Sequence, residues 1–287
     1  MLICTYNIFL GGRETTLDSL FGFLQQLPCS VCVLNEANGW HAKWESVQEA
    51  AASHGFPQLE LLRTPHGYDI AVAAAGAYEM RRGEHTVEGG GQSGFHHGVL
   101  HVTLAEAVEE PPLHLLATHL SPHSAQTRTH EAAQLASISR TLSPAPVVLA
   151  GDLNSLSPAD EAAHRELLPR LQADPRLAQK FLTPARDAIA YEPLALLLAA
   201  GLVDLCRGEP GGGEHEPTVP TGVGEDDMHA APMRLDYILA SPAATQRRLA
   251  GLEGVVVRTE LTRSASDHFP VALRTRPVAE GSERDEL

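Results

Sequence analysis

Cysteine is scarce. The four in 287 residues, Cys4, Cys29, Cys32 and Cys206, are too few and too irregularly spaced for a disulfide scaffold. Cys29 and Cys32 form a C-x-x-C pair, but inside the apolar run Pro28–Leu34 and without a second pair. They therefore read as buried structural thiols rather than as a redox or zinc pair. Basic residues are also short: 21 Lys and Arg against 36 Asp and Glu leave a net charge of −15. That balance opposes generic attraction to a phosphate backbone and argues against a non-specific nucleic-acid coat. It leaves open an enzyme that recruits divalent cations to offset phosphate charge. No Lys/Arg run with interleaved aromatics occurs, and no basic amphipathic membrane-binding segment. No apolar run approaches the length of a membrane span, and the N-terminus lacks a basic region followed by a long apolar stretch. The sequence reads as that of an intracellular, soluble, cytoplasmic protein. Its last residues, Arg284-Asp285-Glu286-Leu287, have the look of an endoplasmic-reticulum retention tail but read as an accident of a charged terminus.

What remains is an ordinary globular composition, 43% hydrophobic and 20% charged, in a chain able to bury a sizeable core. The first part alternates strand and helix. Leu2–Phe9 predicts a strand, Thr15–Leu27 a helix with apolar residues at helical spacing, Val31–Leu34 a buried strand and Lys43–His54 a second helix. From Leu59 the pieces are shorter: strands at Leu59–Leu62, Asp69–Ala74, Gly98–Leu104 and Leu113–His119 lie at hairpin-like spacings. Ala125–Leu142 predicts a helix and Val147–Ala150 a strand; Ala159–Phe181 is helical in composition, broken by Pro169 and Pro175. A short helix at Leu194–Ala200, a long irregular loop at Gly208–Asp227, and strands at Arg234–Leu239, Val255–Thr259 and Phe269–Arg274 complete the pattern. It predicts an α/β fold of mixed sheets covered by helices, one domain over 1–275 and a solvated tail over 276–287.

Several apolar runs end in acid, amide or imidazole groups: Asn7, Glu36, His119, Asp152 with Asn154, and Asp267-His268 at the start of the last strand. Strands from distant parts of a chain converge in a packed sheet, so such groups can meet in one cleft. In an extended segment Asp152 and Asn154 project to the same face, although Gly-Asp and Asn-Ser are also ordinary turn chemistry. Asp236 lies among apolar residues and needs a partner, for which His268 is the natural choice. An imidazole held by a buried carboxylate suits the activation of water. Glu36, Asp267 and Asn7 offer hard oxygen ligands suited to Mg²⁺ or Mn²⁺.

The ordered set Thr5-Tyr6-Asn7, Asn35-Glu36, Thr118-His119-Leu120, Gly151-Asp152-Leu153-Asn154, Arg234-Leu235-Asp236-Tyr237 and Ser266-Asp267-His268-Phe269-Pro270-Val271 resembles the endonuclease/exonuclease/phosphatase superfamily, the deoxyribonuclease I-like enzymes. The resemblance implies a four-layer α/β sandwich, two mixed β-sheets face to face with helices outside. It implies a Mg²⁺-dependent hydrolase in which Glu36, with Asn7 and Asp267, places the metal. Asp152 and Asn154 would orient water and contact the phosphate, His268 oriented by Asp236 would act as base or electrostatic partner, and His119 would assist the leaving group. The usual Gln-Glu pair reads Asn35-Glu36 here.

Around this set, Asn38 and Trp40 are candidates for the pocket rim, with core packing an equal reading for the aromatic ring. His97, with His96, lines the cleft or forms a solvated turn. Arg128 and Glu131, one helical turn apart, read as a surface pair and His123 and His130 as surface residues. The expected partner is a phosphoester; nucleic acid is possible but not favoured by net charge. A nuclease or 5′-tyrosyl-DNA phosphodiesterase competes with a lipid or inositol-phosphate phosphoesterase, and a catalytically silent binding module is the rival from another class.

Overall fold

The computed structural model describes residues 1–27, 29–106, 110–207, 216–223 and 231–276. One sheet runs β12 (Leu252–Val256), β13 (Val271–Thr275), β1 (Ile3–Asn7), β2 (Val31–Asn35), β4 (Ile70–Ala74), β3 (Gln58–Leu62). The other runs β10 (Val203–Asp204), β11 (Asp236–Ala240), β9 (Val147–Asp152), β8 (Leu113–His119), β7 (Gly98–Glu106), β5 (Tyr78–Arg82), with β6 (Val87–Glu88) also paired to β7. Both sheets are mixed: β1–β2 and β8–β9 are parallel, and the remaining pairs antiparallel.

The layering follows from the two-residue period of the strands. Ile3, Val31, Val33, Ile70, Val72, Val271 and Leu273 of the first sheet meet Leu100, Val102, Leu115, Ala117, Val148, Ala150 and Ile238 of the second in one apolar cluster. The intervening residues face helices. Cys4, Tyr6, Cys32 and Leu34 pack on α2 (Leu17–Gln26) and α3 (Trp44–Ser53). Leu116, Leu149, Tyr237 and Leu239 pack on α4 (Ala125–Leu142) and α7 (Glu192–Ala199). The result is the four-layer α/β sandwich that the family resemblance implies. Smaller pieces complete the set: α1 (Phe9–Gly12), a left-handed turn with φ positive at all four residues, and the helices α5 (Leu167–Ala173), α6 (Pro175–Phe181), α8 (Pro242–Arg247) and α9 (Glu260–Ala265). Among the described residues no helix is long and apolar enough to cross a membrane.

Some expectations need correcting. The edge strands β5 and β6 are too polar and exposed to show as apolar runs, and the strand expected at Val255–Thr259 lies at Leu252–Val256. Pro175 does break the helical segment after Ala173, whereas Pro169 sits in the first turn of α5, where its missing N–H has no partner to lose. Of the expected Gly208–Asp227 loop, 208–215 and 224–227 lie outside the described residues, as do 277–287 of the tail. All four thiols are free; Cys4 and Cys32 are wholly buried and in register on neighbouring strands, and burial pushes the Cys32 thiol up.

At one end of the sandwich the inward-facing positions turn from apolar to polar. Asn7 and Asn35 are paired in one sheet; His119 and Asp236 flank Asp152 in the other. Asn35 ties the two sheets together there. Its amide nitrogen donates to the Thr118 carbonyl (3.0 Å) and its oxygen accepts from the Asp152 N–H (2.8 Å). The approach requires glycine at 151 (φ 148°), since a Cβ there would stand 1.8 Å from the Thr118 oxygen and 3.2 Å from Asn35 Oδ1. Asn35→Ala leaves a buried donor and a buried acceptor unmet, so it should lower unfolding free energy by about 2–5 kcal/mol in urea denaturation. A loss below about 0.5 kcal/mol would remove the clamp from this description.

Candidate active site

The polar end of the sandwich opens into a cavity of ≈ 490 Å³ lined by Asn7, Phe9, Leu10, Glu36, His66, Tyr68, His96, His97, His119, Pro122, His123, Asp152, Asn154, Lys180, Asp267 and His268. Of the expected site residues, Asn7, Glu36, His97, His119, Asp152, Asn154, Asp267 and His268 share this wall. Asp236 stands behind it, wholly buried, with Oδ2 2.7 Å from His268 Nδ1.

Asp152 is the hub. Its Oδ2 lies 3.3 Å from His119 Nε2, 3.7 Å from His268 Nε2 and 3.3 Å from Asn7 Nδ2, and its Oδ1 accepts the Asn154 N–H at 2.8 Å. Burial works against its charge, but His268 and then His119 outweigh burial and hold the carboxyl well below the usual range. Burial likewise disfavours the His268 imidazolium, yet the Asp236 and Asp152 carboxylates push it up to about 10. His119 is raised in the same way: burial opposes the charge and the Asp152 hydrogen bond prevails. The loop carrying His268 is pinned to β1 by Ser266, whose Oγ donates to the Asn7 carbonyl (2.6 Å) and accepts the His268 N–H (3.2 Å). Thr218 Oγ1 accepts the N–H groups of Leu235 (3.0 Å) and Asp236 (3.3 Å), fixing the start of β11.

Local strain gathers here. Phe9, Leu10, Glu36 and Asn154 all hold left-handed backbone (φ 53°, 50°, 60° and 47°) and all line the cavity, a concentration typical of functional sites. Asn154 therefore does not continue the strand alongside Asp152. The pair forms an Asx turn, and the Asn154 amide donates to the Leu120 carbonyl at 3.0 Å.

For a divalent cation the donor chemistry fits: Glu36, Asp152 and Asp267 bring carboxylates to one cavity. Among the described residues, Asp152, Asp236 and His268 also place ligand atoms within 4.8 Å of one another. There, however, His268 Nδ1 is already committed to Asp236. Asn7, expected as an oxygen ligand, also makes contacts of its own on this wall. Its Oδ1 accepts the Phe9 N–H (3.1 Å), and its amide nitrogen faces Glu36 Oε1 (3.1 Å), so it orients the carboxylate. The second Glu36 oxygen accepts the Leu10 N–H at 3.0 Å.

Two rim candidates lie elsewhere. Trp40 is wholly buried, donates Nε1–H to the Gly11 carbonyl (3.1 Å) and sits 5.8 Å from the Phe21 ring in the core under α2. Asn38 is half-buried, its amide 3.3 Å from the Glu36 carbonyl and 3.0 Å from that of Gly67, bracing the loop behind the cavity. His123, read as a surface residue, is exposed but lines the cavity, its ring 4.7 Å from that of His96. The supposed surface pair Arg128 and Glu131 is buried, at 1% and 0% exposure. His66, Tyr68 and Lys180 are further wall residues with no motif in the sequence. Lys180 reads there as an ordinary helix residue and gives no signal of its 3% exposure.

The chain matches the Endonuclease/Exonuclease/phosphatase family over residues 4–268. It belongs to that family. Membership makes it an enzyme that hydrolyses phosphoester bonds. Among solved structures it is similar to truncated Caenorhabditis elegans TDP2 (13% identity, TM-score 0.62, covering 95% of this chain and 96% of that one). It is also similar to an AP endonuclease from Archaeoglobus fulgidus (14%, 0.61, 96% and 99%) and to Staphylococcus aureus beta toxin 275-280 (14%, 0.60, 96% and 100%). At these identities the likeness speaks for the fold. No curated protein matches the sequence.

Because the folded His268 value lies above that of a free imidazole, near 6.5, its pairing contributes stability in full below about pH 6.5. That contribution is lost as pH rises through the folded value of about 10. In chelator-treated protein, side-chain NMR should find His268 protonated from about pH 6 to 8.5, and Asp236→Asn should lower its midpoint. A wild-type midpoint near 6.5 would contradict the Asp152–His268–Asp236 geometry.

Proposed function

We propose that residues 1–275 form a divalent-metal-dependent phosphoesterase, using Mg²⁺ or Mn²⁺, that attacks a phosphodiester or phosphomonoester with water. The observation that carries this reading is the line His119, Asp152, His268 on the same cavity as Glu36 and Asp267, with Asp236 behind His268. Glu36 and Asp267, with Asp152 beside them, would hold the cation. When bound there it supplies neutralisation of phosphoryl charge and a lower pKa for water.

The remaining roles follow from the side chains themselves. Asp152, ionised and fixed by its surrounding donors, orients the attacking water. His268, kept cationic by Asp236, faces the phosphoryl oxygens as an electrostatic partner, which favours that role over general base. His119, also raised, holds a proton for the leaving oxygen. A catalytically silent module would have no use for this arrangement. The net charge of −15 favours a small phosphoester over long nucleic acid. 5′-Phosphotyrosyl-DNA, nuclease and lipid or inositol-phosphate substrates are the arms to compare.

Purified protein should turn over bis-(p-nitrophenyl) phosphate with Mg²⁺ or Mn²⁺ and fall silent in chelator. His268→Ala should lower kcat by about 10²–10⁴. Absence of metal-stimulated turnover on this ester and on single-stranded DNA, RNA, a 5′-phosphotyrosyl oligonucleotide, inositol phosphates and sphingomyelin would overturn the reading.

A further inference from the structure

An anion entering this cavity meets the carboxylates of Glu36, Asp152 and Asp267, and it needs fixed positive charge beyond the imidazoles. Among the described residues that line the cavity, Lys180 is the one lysine or arginine. It stands in the last turn of α6, 3% exposed, and its charge helps to hold the Asp152 carboxyl low, after the two imidazoles. A buried ammonium is costly to desolvate, so its position in a polar wall is a built feature.

The building is visible. Asp174 caps α6 by accepting the Arg176 N–H (2.7 Å), and Leu177, Ala178 and Phe181 anchor it in an apolar cluster. The Lys180 carbonyl accepts from the Arg128 Nη2 group. The Phe181 ring lies 5.1 Å from Lys180 Nζ and 5.8 Å from the Arg128 guanidinium carbon. Arg128 also donates to Ser155 Oγ (3.0 Å) and the Ser121 carbonyl (2.9 Å). One turn along α4, Glu131 accepts the N–H groups of His96 (2.8 Å) and Ser121 (2.9 Å). Two buried side chains thus tie together the segment carrying His96 and His97, the turn after His119, the segment after Asn154, and Lys180.

We propose that Lys180 is a substrate-binding residue that grips a non-bridging oxygen of the phosphoryl group, with Arg128, which bonds the Lys180 carbonyl, as the positioning residue that presents it. The assignment rests on the phosphoesterase reading above. It adds to the family's carboxylates and imidazoles a fixed cation delivered by a helix outside the six motifs. Arg128 touches no substrate; it acts through the segments it holds.

The test is binding of inorganic phosphate to the full chain with Mg²⁺, by calorimetry and as inhibition of bis-(p-nitrophenyl) phosphate turnover. Lys180→Met should weaken phosphate by about 10- to 100-fold and Lys180→Arg by no more than about threefold. Should the Met variant not fold, Lys180→Gln carries the same comparison. Arg128→Lys should weaken phosphate several-fold in the wild type and add nothing in the Lys180→Met background, whereas a merely structural Arg128 gives additive losses. Phosphate that binds Lys180→Met as tightly as wild type, or that does not bind wild type at about 10 mM, overturns the assignment. Turnover separates the two ideas. Hydrolysis with phosphate binding indifferent to Lys180 leaves the enzyme reading standing. Lys180-dependent phosphate binding without turnover of any ester removes that reading alone.

Discussion

The site depends on the contact between two sheets at the point where their apolar interface ends. Asn35 holds that contact by bonding the Thr118 carbonyl and the Asp152 N–H across the gap, and Gly151 lets the backbones come close enough. The candidate site is built around this junction. Asp152 belongs to one of the two groups that Asn35 joins, and His119 and Asp236 are its register neighbours. Asn7 reaches over from the other sheet to both Glu36 and Asp152. A slip of β9 by a single residue within its own sheet would turn Asp152 to the helix layer.

A second consequence is electrostatic. Asp152 is ionised because two imidazoles stand beside it, and His268 is cationic because two carboxylates flank it; each buried charge is tolerable only through the other. The cavity sets carboxylates beside imidazoles, and the strained backbone at Phe9, Leu10, Glu36 and Asn154 lies along the same wall.

Much of this was legible in the sequence, for a physical reason. Inward positions along a strand alternate, so an apolar run that ends in a polar residue on the same parity marks the mouth of a cleft. Asn7, His119 and Asp152 obey that rule, and Asp236 announced its need for a partner by sitting among apolar neighbours. Other features were not legible. Arg128 and Glu131 have the one-turn spacing of a surface pair, and only the packing of α4 against the site loops reveals them as buried. Lys180 has no periodic or motif signature, since its burial is decided by where α6 docks. Trp40 and Asn38 follow Glu36 closely in sequence, yet the left-handed turn at Glu36 carries the chain away from the cavity into the core. The half-exposed edge strands gave no apolar pattern to read.

The most direct test asks whether one ion is seated at this junction. With one equivalent of paramagnetic Mn²⁺, NMR of the assigned histidine side chains should show His119 and His268 broadened first, and Glu36→Gln should abolish the effect at that concentration. His85, His101 and His114 form a separate group of rings that does not line the cavity; broadening confined to them, with the cavity signals untouched, would contradict the gathering of the cavity side chains around a metal.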